Sequence, residues 1–358
     1  MTDVSPQYRP AGRGVESDRS DNTHEISVVM TTYNRGDLLE AAMRSVLGQN
    51  TTSSFELIVV DNNSTDCTRA VINRLAATDS RVRYVFEPKQ GSSHGRNAGI
   101  REARAPLIAF TDDDVRAEPD WLSAMVRAFR EHPEADVVGG RVLPLWPSEP
   151  PAWLTQEHWS PLALLDFGDT AFAIDAGRPL CLVAANLGIR RSVVDAVGGF
   201  AAAFQLVGSN FSGSVEDHEF LLRVLRSGRT AIYDPHITVY AEVQPNRLER
   251  AYHRRWHTGH GHFHSLLRTR AMEQTRVGTL FGVPAHLYRQ AVADVFGWLG
   301  SKLRRDREQA FHHELRIRFF AGFFRTRRRE FFARPRRQRR AGLRALLRRR
   351  TVGWPGSG

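Results

Sequence analysis

The sequence predicts an α/β fold: a mostly parallel central sheet flanked by helices, with a C-terminal helical extension. Short β-branched runs alternate with amphipathic stretches between residues 26 and 142, the pattern of parallel strands joined by helices. Polar clusters follow the apolar runs, at the strand ends where open parallel sheets bind ligands. The 358 residues are enough for one large unit with appendages or for two closely apposed halves.

The alternation predicts each element in turn. Strands are expected at residues 26–30, 57–60, 82–86, 107–110 and 137–142. Four helices are expected between them. The first begins at Asp37 and ends at Gly48, the second spans residues 68–75, the third begins near Ser92 or Ser93, and the fourth runs from residue 119 to about residue 130. Such a series implies a parallel sheet that is covered on both faces.

Composition and charge argue against several classes of protein. Hydrophobic residues make up 41% and no apolar run is long enough for a membrane span. Cys67 and Cys181 are too few for a disulfide framework, and the polar N-terminus lacks the apolar centre of a secretion signal, so we expect a cytoplasmic protein. The net charge of +11 is concentrated in residues 301–350, which hold 19 Lys and Arg against 4 Asp and Glu.

Three consecutive carboxylates, Asp112, Asp113 and Asp114, follow the fourth strand. They repel one another unless a cation or hydrogen-bond donors offset their charge, and oxygen ligands of this kind suit Mg²⁺ or Mn²⁺. In an extended segment Asp112 and Asp114 point the same way and are the predicted metal ligands, while Asp113 faces a sugar hydroxyl or a backbone amide. The alternative is a solvated acidic turn that caps the next helix.

Two further clusters follow the second and third strands. Asp61 either accepts a hydrogen bond from a pyrimidine imide or a ribose hydroxyl, or is a turn residue. The loop from Gly91 to Gly99 contains three glycines and Arg96, which suit phosphate binding. The sequence has no Gly-x-Gly-x-x-Gly after the first strand and no Gly-Lys-Ser/Thr, which argues against a nicotinamide dehydrogenase and a P-loop ATPase.

Glu216 and Asp217 open a later predicted helix. The helix dipole favours acidic residues in the first turn, so capping explains the pair about as well as catalysis does. In the functional interpretation the pair supplies a general base.

Five segments, in this order, resemble the motifs of the family 2 glycosyltransferases, which have the GT-A fold with its Rossmann-like sheet. They are ISVVMTTYNR, LIVVDNNSTD, QGSSHGRNAGIREA, IAFTDDDVRAEPDWL and VEDHEFLLRVLRSG, and they cover about residues 26–235. The resemblance implies an enzyme that transfers a sugar from a nucleotide diphosphate sugar to an acceptor hydroxyl, with inversion at the anomeric carbon.

The resemblance also implies a set of site residues. Asp217 matches the catalytic base, and Asp112 and Asp114 match the aspartates that hold the divalent cation, Mg²⁺ or Mn²⁺. Asn186 and Glu216 fall on the acceptor side. The residues implied around the nucleotide are Thr32, Tyr33, Asn34, Arg35, Asp61, Asn63, Arg96, Asp112 and Asp113.

A loop rich in proline and tryptophan follows the fifth strand. Flat aromatic faces stack on sugar rings, so Trp153 is a further acceptor-side candidate; the alternative is that it pins the loop by packing.

The chain departs from the family pattern in two places. Where relatives often carry a histidine that faces the metal, this sequence offers Glu242. Processive members carry Gln-x-x-Arg-Trp, whereas this chain keeps Arg255 and Trp256, our candidate lid residues, and lacks the glutamine. A processive synthase is therefore disfavoured.

Five histidines lie close together between His253 and His264. Two spacings of four residues resemble zinc ligands on a helix. However, we expect Gly259 and Gly261 to interrupt the helix, and no cysteine or acidic ligand lies nearby. A lid segment or ordinary surface histidines are the alternatives to a zinc site.

The C-terminal region is basic and amphipathic. Phe311, Leu315, Phe319 and Phe323 form one helical stripe with arginines beside it. Residues 311–350 would therefore suit an anionic membrane surface and an enzyme whose acceptor is a lipid-linked glycan. The alternative is a helix packed on the catalytic domain. Nucleic-acid binding is disfavoured, because the rest of the chain is acidic and carries no known recognition motif.

The implied organisation has five parts. They are a disordered tail at 1–25, a nucleotide-sugar-binding half at 26–142, an acceptor-side half with the catalytic base at 143–245, a helical extension at 246–300 and a basic amphipathic tail at 301–358.

Together these observations predict a metal-dependent inverting glycosyltransferase, cytoplasmic and peripheral at the inner face of the cell membrane, in surface polysaccharide or glycoconjugate biosynthesis. Its partners would be a nucleotide diphosphate sugar and a glycan or lipid-linked glycan acceptor. Two other classes stay open: a nucleotidyltransferase that uses a nucleoside triphosphate, and a catalytically inactive membrane-surface scaffold.

Overall fold

The computed structural model describes residues 24–205, 213–273 and 278–333, with the backbone alone at residues 270 and 271. Residues 1–23 of the predicted N-terminal tail and residues 334–358 of the predicted C-terminal tail lie outside the described residues. Of the helices in the described ranges, none is both long and apolar enough to cross a membrane.

The chain divides into two compact units. The described part of the first unit comprises residues 24–147, 163–205 and 216–243, and that of the second comprises 148–162, 213–215, 244–273 and 278–333. The predicted nucleotide half therefore lies within the first unit, and the predicted acceptor half is shared between the two.

Strands and helices alternate through the first unit and helices dominate the second. The strands are β1 (Ile26–Thr32), β2 (Phe55–Asp61), β3 (Val82–Phe86), β4 (Leu107–Asp112), β5 (Val115–Ala117), β6 (Ala135–Leu145), β7 (Phe172–Ile174), β8 (Leu187–Arg190), β9 (Thr230–Glu242), β10 (Thr279–Leu280) and β11 (Val283–Pro284). The helices are α1 (Gly36–Leu47), α2 (Thr68–Ala76), α3 (Ser92–Glu102), α4 (Trp121–Glu131), α5 (Arg191–Val197), α6 (Glu216–Arg226), α7 (Arg250–Leu267), α8 (Arg270–Glu273), α9 (Ala285–Leu303) and α10 (Arg307–Ala333).

The first unit is built on one sheet, with strand order β3-β2-β1-β4-β8-β6-β9-β5 and β7 paired with β9. Strands β1 to β4 are parallel neighbours, which confirms the predicted βαβ series. Beyond β4 the sheet is mixed, since β8 is antiparallel to both β4 and β6. The short strands β5, β7 and β8 were not predicted, because three or four residues show too little periodicity.

Glycines let α3 lie directly on β1. A Cβ atom at Gly95 would collide with the side chain of Thr31, and one at Gly99 with the side chain of Val29. These two glycines are therefore needed for close helix–strand packing, which orients the remaining α3 side chains toward the strand ends.

Helices α7 and α10 of the second unit cross at a close contact. A Cβ atom at Gly261 would meet the carbonyl oxygen of Phe319, and one at Gly322 would meet that of Thr258. The expectation that Gly259 and Gly261 interrupt the helix is wrong, because α7 runs without a break from Arg250 to Leu267. Packing against α10 offsets the low helix propensity of glycine.

The predicted phenylalanine stripe of α10 faces the interior of the second unit. Phe320 and Phe323 pack with Val283 and Leu287 in one apolar cluster. Phe311 is also buried, with its ring against Trp153. The stripe is thus a packing surface within this unit, as the alternative of a packed helix predicts. Residues 334–350 of the segment expected on a membrane lie outside the described residues.

Candidate active site

Parallel pairing brings the predicted strand-end residues together. In the register of the sheet Thr32 lies opposite Asp61, and Thr31 lies opposite Asp112. The end of β1 therefore stands between the second and the fourth strand ends, as expected for the ligand edge of a parallel sheet.

The three aspartates do not alternate along an extended strand. Asp112 ends β4, and Asp113 and Asp114 form the turn before β5. The guanidinium of Arg35 donates to both Asp113, at 3.2 Å, and Asp114, at 2.5 Å. The expectation that Asp113 faces away from Asp114 is therefore wrong, since a tight turn does not preserve the two-residue alternation of a strand.

Burial and ion pairing shift the pKa values of Asp113 in this turn and of its partner Arg35. Burial raises the pKa of Asp113 to about 7, although the Arg35 guanidinium acts in the opposite direction. Burial alone would lower the pKa of Arg35, but attraction to Asp113 and Asp114 outweighs it and raises that pKa above its usual range. At neutral pH Arg35 is thus a fixed positive charge beside the acidic turn.

Arg96 connects the acidic strand end to the Glu-Asp pair. Its guanidinium is buried and donates to Asp112, Glu216 and Asp217, each at 3.2 Å. It also lies over the ring of Phe200, 5.5 Å from the centroid. Burial opposes the charge on Arg96, but the three carboxylates outweigh it and raise its pKa above the usual range. One cation therefore holds together residues that lie far apart in the sequence.

Asp217 stands in the first turn of α6 with a perturbed pKa. Burial, assisted by the neighbouring Glu216 carboxylate, raises the pKa of Asp217 to about 7 against the attraction of Arg96. The amide of Ala184 donates to its second oxygen at 3.0 Å. A carboxylate held in this way and titrating near neutral pH has the properties of a general base.

Glu216 and Cys181 surround this carboxylate. Glu216 is buried and accepts a hydrogen bond from Ser92 at 2.8 Å. Burial, together with the charges of Asp217 and Glu216, raises the pKa of the Cys181 thiol, so it stays protonated at neutral pH. Sequence reasoning missed Cys181, which carries no motif of its own.

Asp61 and its neighbour Asn62 make the hydrogen bonds of the predicted nucleotide side. Asp61 accepts hydrogen bonds from the Ser64 amide and the Tyr84 hydroxyl. Asn62, which sequence reasoning passed over, donates to the carbonyls of Glu87 and Lys89 and accepts from Gly91 N. Its place in the polar run after β2 was the available signal.

The expected phosphate cradle at residues 91–99 is already occupied by the chain's own groups. Gln205 accepts from the Ser93 amide at 2.7 Å, and Gly91 N donates to Asn62. Gly91 adopts a φ of 131°, which a side chain would strain. These backbone donors are therefore engaged in the structure, as is Arg96, whose guanidinium donates to three carboxylates.

The remaining predicted nucleotide residues form an exposed rim. Tyr33 is 45% exposed, and Asn34 and Asn63 adopt left-handed backbone conformations at φ 50° and 68°. Asn34 accepts a hydrogen bond from the Thr65 amide at 2.7 Å, which joins the loops after β1 and β2. Thr32 is buried beneath them.

Two predicted acceptor-side residues have internal partners. The Asn186 amide donates to the carbonyls of Arg141 and Ile237 and accepts from the Trp121 indole. Trp153 belongs to the second unit, where its ring packs edge-on against other rings of that unit, those of His158, His253 and Phe311. The side chains of Asn186 and Trp153 are thus engaged in packing and hydrogen bonding within their own units.

The candidate lid residues lie on α7 of the second unit. Arg255 is exposed, and the ring of Trp256 stacks on His260 at 4.1 Å. Across residues 24–205, 213–273 and 278–333, no group of three or more His, Cys, Asp or Glu side chains is arranged to hold a metal ion. Among these residues, the five histidines therefore do not form a three-ligand arrangement of the kind a zinc site needs.

The acidic turn has donors that fit Mg²⁺ or Mn²⁺. These cations bind through one or two carboxylates and complete their shell with phosphate oxygens and water, so a complete protein cage is not required. Asp112 and Asp114 supply such carboxylates, held in place by Arg96 and Arg35. Glu242 lies beside the turn, because its amide donates to the Asp114 carbonyl at 2.7 Å, but its carboxylate pairs with Arg116.

Comparison with known protein families gives a match over the central part of this chain. The family model described as glycosyl transferase family 2 matches residues 27–198. The matched range contains the strand ends, the acidic turn and Arg96.

Curated relatives share this region. The chain is 27% identical to the glucosyl-dolichyl phosphate glucuronosyltransferase of Haloferax volcanii over 63% of this chain and 71% of that protein. It is 36% identical to the validoxylamine A glucosyltransferase of Streptomyces hygroscopicus subsp. limoneus, over 38% of this chain and 31% of that protein. The chain thus spans most of the first relative and about a third of the second.

A solved structure has the same fold. The mannosyltransferase PcManGT from Pyrobaculum calidifontis, in complex with GDP-Man and Mn²⁺, superposes with a TM-score of 0.56. The alignment covers 86% of this chain and 88% of that one, at 18% identity. The predicted GT-A architecture is therefore confirmed.

Proposed function

From the match of residues 27–198 to the family model described as glycosyl transferase family 2, we propose that the protein transfers a sugar from a nucleotide diphosphate sugar to an acceptor hydroxyl. The proposed reaction inverts the anomeric carbon and depends on Mg²⁺ or Mn²⁺. The observation that carries the proposal is the shared guanidinium of Arg96, which contacts both the Asp112 and the Asp217 carboxylates at 3.2 Å.

The proposed mechanism uses the charges around this guanidinium. Asp217, with its pKa near 7, takes the proton of the acceptor hydroxyl as the oxygen attacks the anomeric carbon. The bond to the nucleotide diphosphate breaks on the opposite side of the carbon, so a single displacement inverts the configuration. Arg96 and Arg35 are the chain's own cations near the leaving group.

The divalent cation would be held by Asp112 and Asp114, which suit it chemically. When bound, it supplies positive charge that offsets the developing charge on the departing diphosphate. Arg35 must then share Asp114, so we expect the Arg35 pairing with the acidic turn to loosen on binding.

We propose a glycan carried on a lipid as the acceptor, in surface polysaccharide or glycoconjugate assembly at the inner face of the cell membrane. The name of the Haloferax relative, which includes a dolichyl phosphate, supports this class. The second candidate is a small soluble acceptor, since the Streptomyces relative is named for a transfer to validoxylamine A.

The first test is ligand-dependent thermal stability. A ligand that binds only the folded state raises the melting temperature. We expect one of UDP, GDP, dTDP or CDP to raise the melting temperature of the wild type in the presence of Mn²⁺. In Asp114→Ala, the part of this rise that depends on Mn²⁺ should be lost. Asp195→Ala, which changes an exposed aspartate on α5, is the matched control. Stabilisation that is the same with and without Mn²⁺ would contradict the proposal, as would a folded sample that no nucleotide stabilises.

Product analysis separates the alternative enzyme class. A glycosyltransferase releases a nucleoside diphosphate from the sugar donor, whereas a nucleotidyltransferase releases pyrophosphate from a nucleoside triphosphate. An inactive scaffold would release neither.

A further inference from the structure

Helix α9 presents an apolar stripe to solvent. Its members are Val292, Val295, Phe296, Leu299 and Leu303, which are 53%, 42%, 69%, 44% and 85% exposed. The spacing of three, four, seven and eleven residues from the first member puts them on one side of the helix. Isolated exposed apolar residues are ordinary, but a continuous row of large ones indicates an interaction surface.

The stripe is distinct from the side by which α9 packs. Leu287 on the packing side joins the apolar cluster with Phe320 and Phe323. Asp294, also buried there, accepts hydrogen bonds from His313 and Arg316 of α10. Helix α9 is therefore anchored within its unit on one side while the stripe covers another.

Cations border the stripe. Lys302 is exposed in the last turn of α9, and its ammonium lies over the ring of Trp298, 5.7 Å from the centroid. Arg304, Arg305 and Arg307 follow and are exposed, as is Arg289 near the N-terminal end of the helix. Asp306 and Glu308 are also exposed in the segment after the helix, so cations outnumber carboxylates around the stripe. The only carboxylate in the α9 sequence is Asp294, which is buried and paired.

From this combination we infer that the α9 stripe docks on an anionic lipid surface. An apolar helix face bordered by Lys and Arg gains both from burying its side chains at the headgroup boundary and from attraction to anionic lipids. A second copy of the chain would present the same cations, so its charge would not be complementary. The inference rests on the proposed function, because that function places the acceptor at a membrane. It assigns the membrane contact to α9, since the stripe of α10 is buried.

Vesicle co-sedimentation of the full chain tests the inference. Vesicles of phosphatidylglycerol and phosphatidylcholine in equal parts are compared with pure phosphatidylcholine. The double variant Phe296→Asn, Leu303→Asn changes the two most exposed members of the stripe. Phe86→Asn, at a side chain 51% exposed in the first unit, is the matched control.

We expect the wild type and Phe86→Asn to bind the anionic vesicles alike, and the double variant to bind roughly tenfold or more weakly. A second double variant, Lys302→Gln with Arg305→Gln, should weaken binding about fivefold per charge removed. Equal binding by the stripe variant and the wild type would overturn the inference. So would a concentration-dependent dimer in light scattering that the stripe variant abolishes, because the face would then be covered by a second copy.

Nucleotide-dependent thermal stability is measured on the same samples. If the stripe variant keeps its nucleotide response and loses vesicle binding, it is folded and the effect belongs to α9. If the wild type binds vesicles through the stripe but responds to no nucleotide, the proposed function fails and the lipid-binding surface stands by itself.

Discussion

In the first unit the buried guanidinium of Arg96 is surrounded by three carboxylates, whereas in the second unit rings of α7 and α10 pack against one another. Both regions drew attention in the sequence because uncommon residues cluster there. In the first, one guanidinium is shared by three carboxylates from distant segments, and burial raises the pKa of Asp112 and Asp217. In the second, Arg254 of α7 pairs with the single carboxylate of Glu314 on α10. Opposite charges that converge from distant segments and shift one another's pKa values are a stronger indication of a functional site than a local density of histidine or phenylalanine.

The largest expected effect comes from removing the proposed catalytic base of the first unit. Asp217→Asn keeps the size of the side chain but removes the base, so transfer should fall by about 10²- to 10⁴-fold. Nucleoside diphosphate release measures it, and nucleotide-dependent thermal stability should be retained. The exposed Asp195→Asn on α5 serves as control. Full activity in Asp217→Asn would contradict the assignment of the base.

The wild-type pH profile sharpens the same assignment. Because burial raises the pKa of Asp217 to about 7, the carboxylate acts as a base only above that region. We expect kcat/KM to rise with pH and to level off above about pH 7. A rate that is flat between pH 5 and pH 8 would count against Asp217 as the group that takes the proton.

A stability measurement probes the buried cation. Arg96→Gln leaves Asp112, Glu216 and Asp217 without their shared partner, and unpaired buried charge typically destabilises a protein by about 3–5 kcal/mol. Arg101→Gln on the same helix changes an arginine whose side chain is 64% exposed, so its effect should be within about 1 kcal/mol. Equal denaturation midpoints for the two variants would show that Arg96 is not held as described.

The smallest expected effect tests the second unit. Gly261→Ala puts a methyl group against the Phe319 carbonyl, and overpacking of this kind costs about 1–3 kcal/mol. Gly300→Ala, where the added Cβ has only ordinary contact with the Arg304 side chain, should be neutral or stabilising by up to about 1 kcal/mol. A melting temperature that does not fall in Gly261→Ala would contradict the close α7–α10 crossing.

Local sequence patterns were sufficient to predict much of the secondary structure of the first unit. The runs that predicted β1 to β4 recur in the structure within one or two residues at most ends, because apolar periodicity reflects burial directly. The same patterns predicted that residues after β1, β2 and β4 would meet, since parallel strands end at one edge. They did not predict that Gln205 and Asn62 would occupy the backbone donors near Gly91, because both contacts depend on the folded path of loops.

Residue order and local periodicity were enough to predict the parallel half of the sheet and the edge at which its polar residues gather, and the ordered motifs carried the resemblance to the family 2 glycosyltransferases. Only the tertiary structure decided which charges are paired and which apolar faces are covered. Arg96 joins Asp112 to Asp217 across more than a hundred residues of chain. Helices α9 and α10 both carry an apolar stripe, but the two stripes differ in burial. The stripe of α10 is buried while that of α9 is exposed, and hydrophobic periodicity alone cannot distinguish them because burial depends on which neighbour arrives to cover the face.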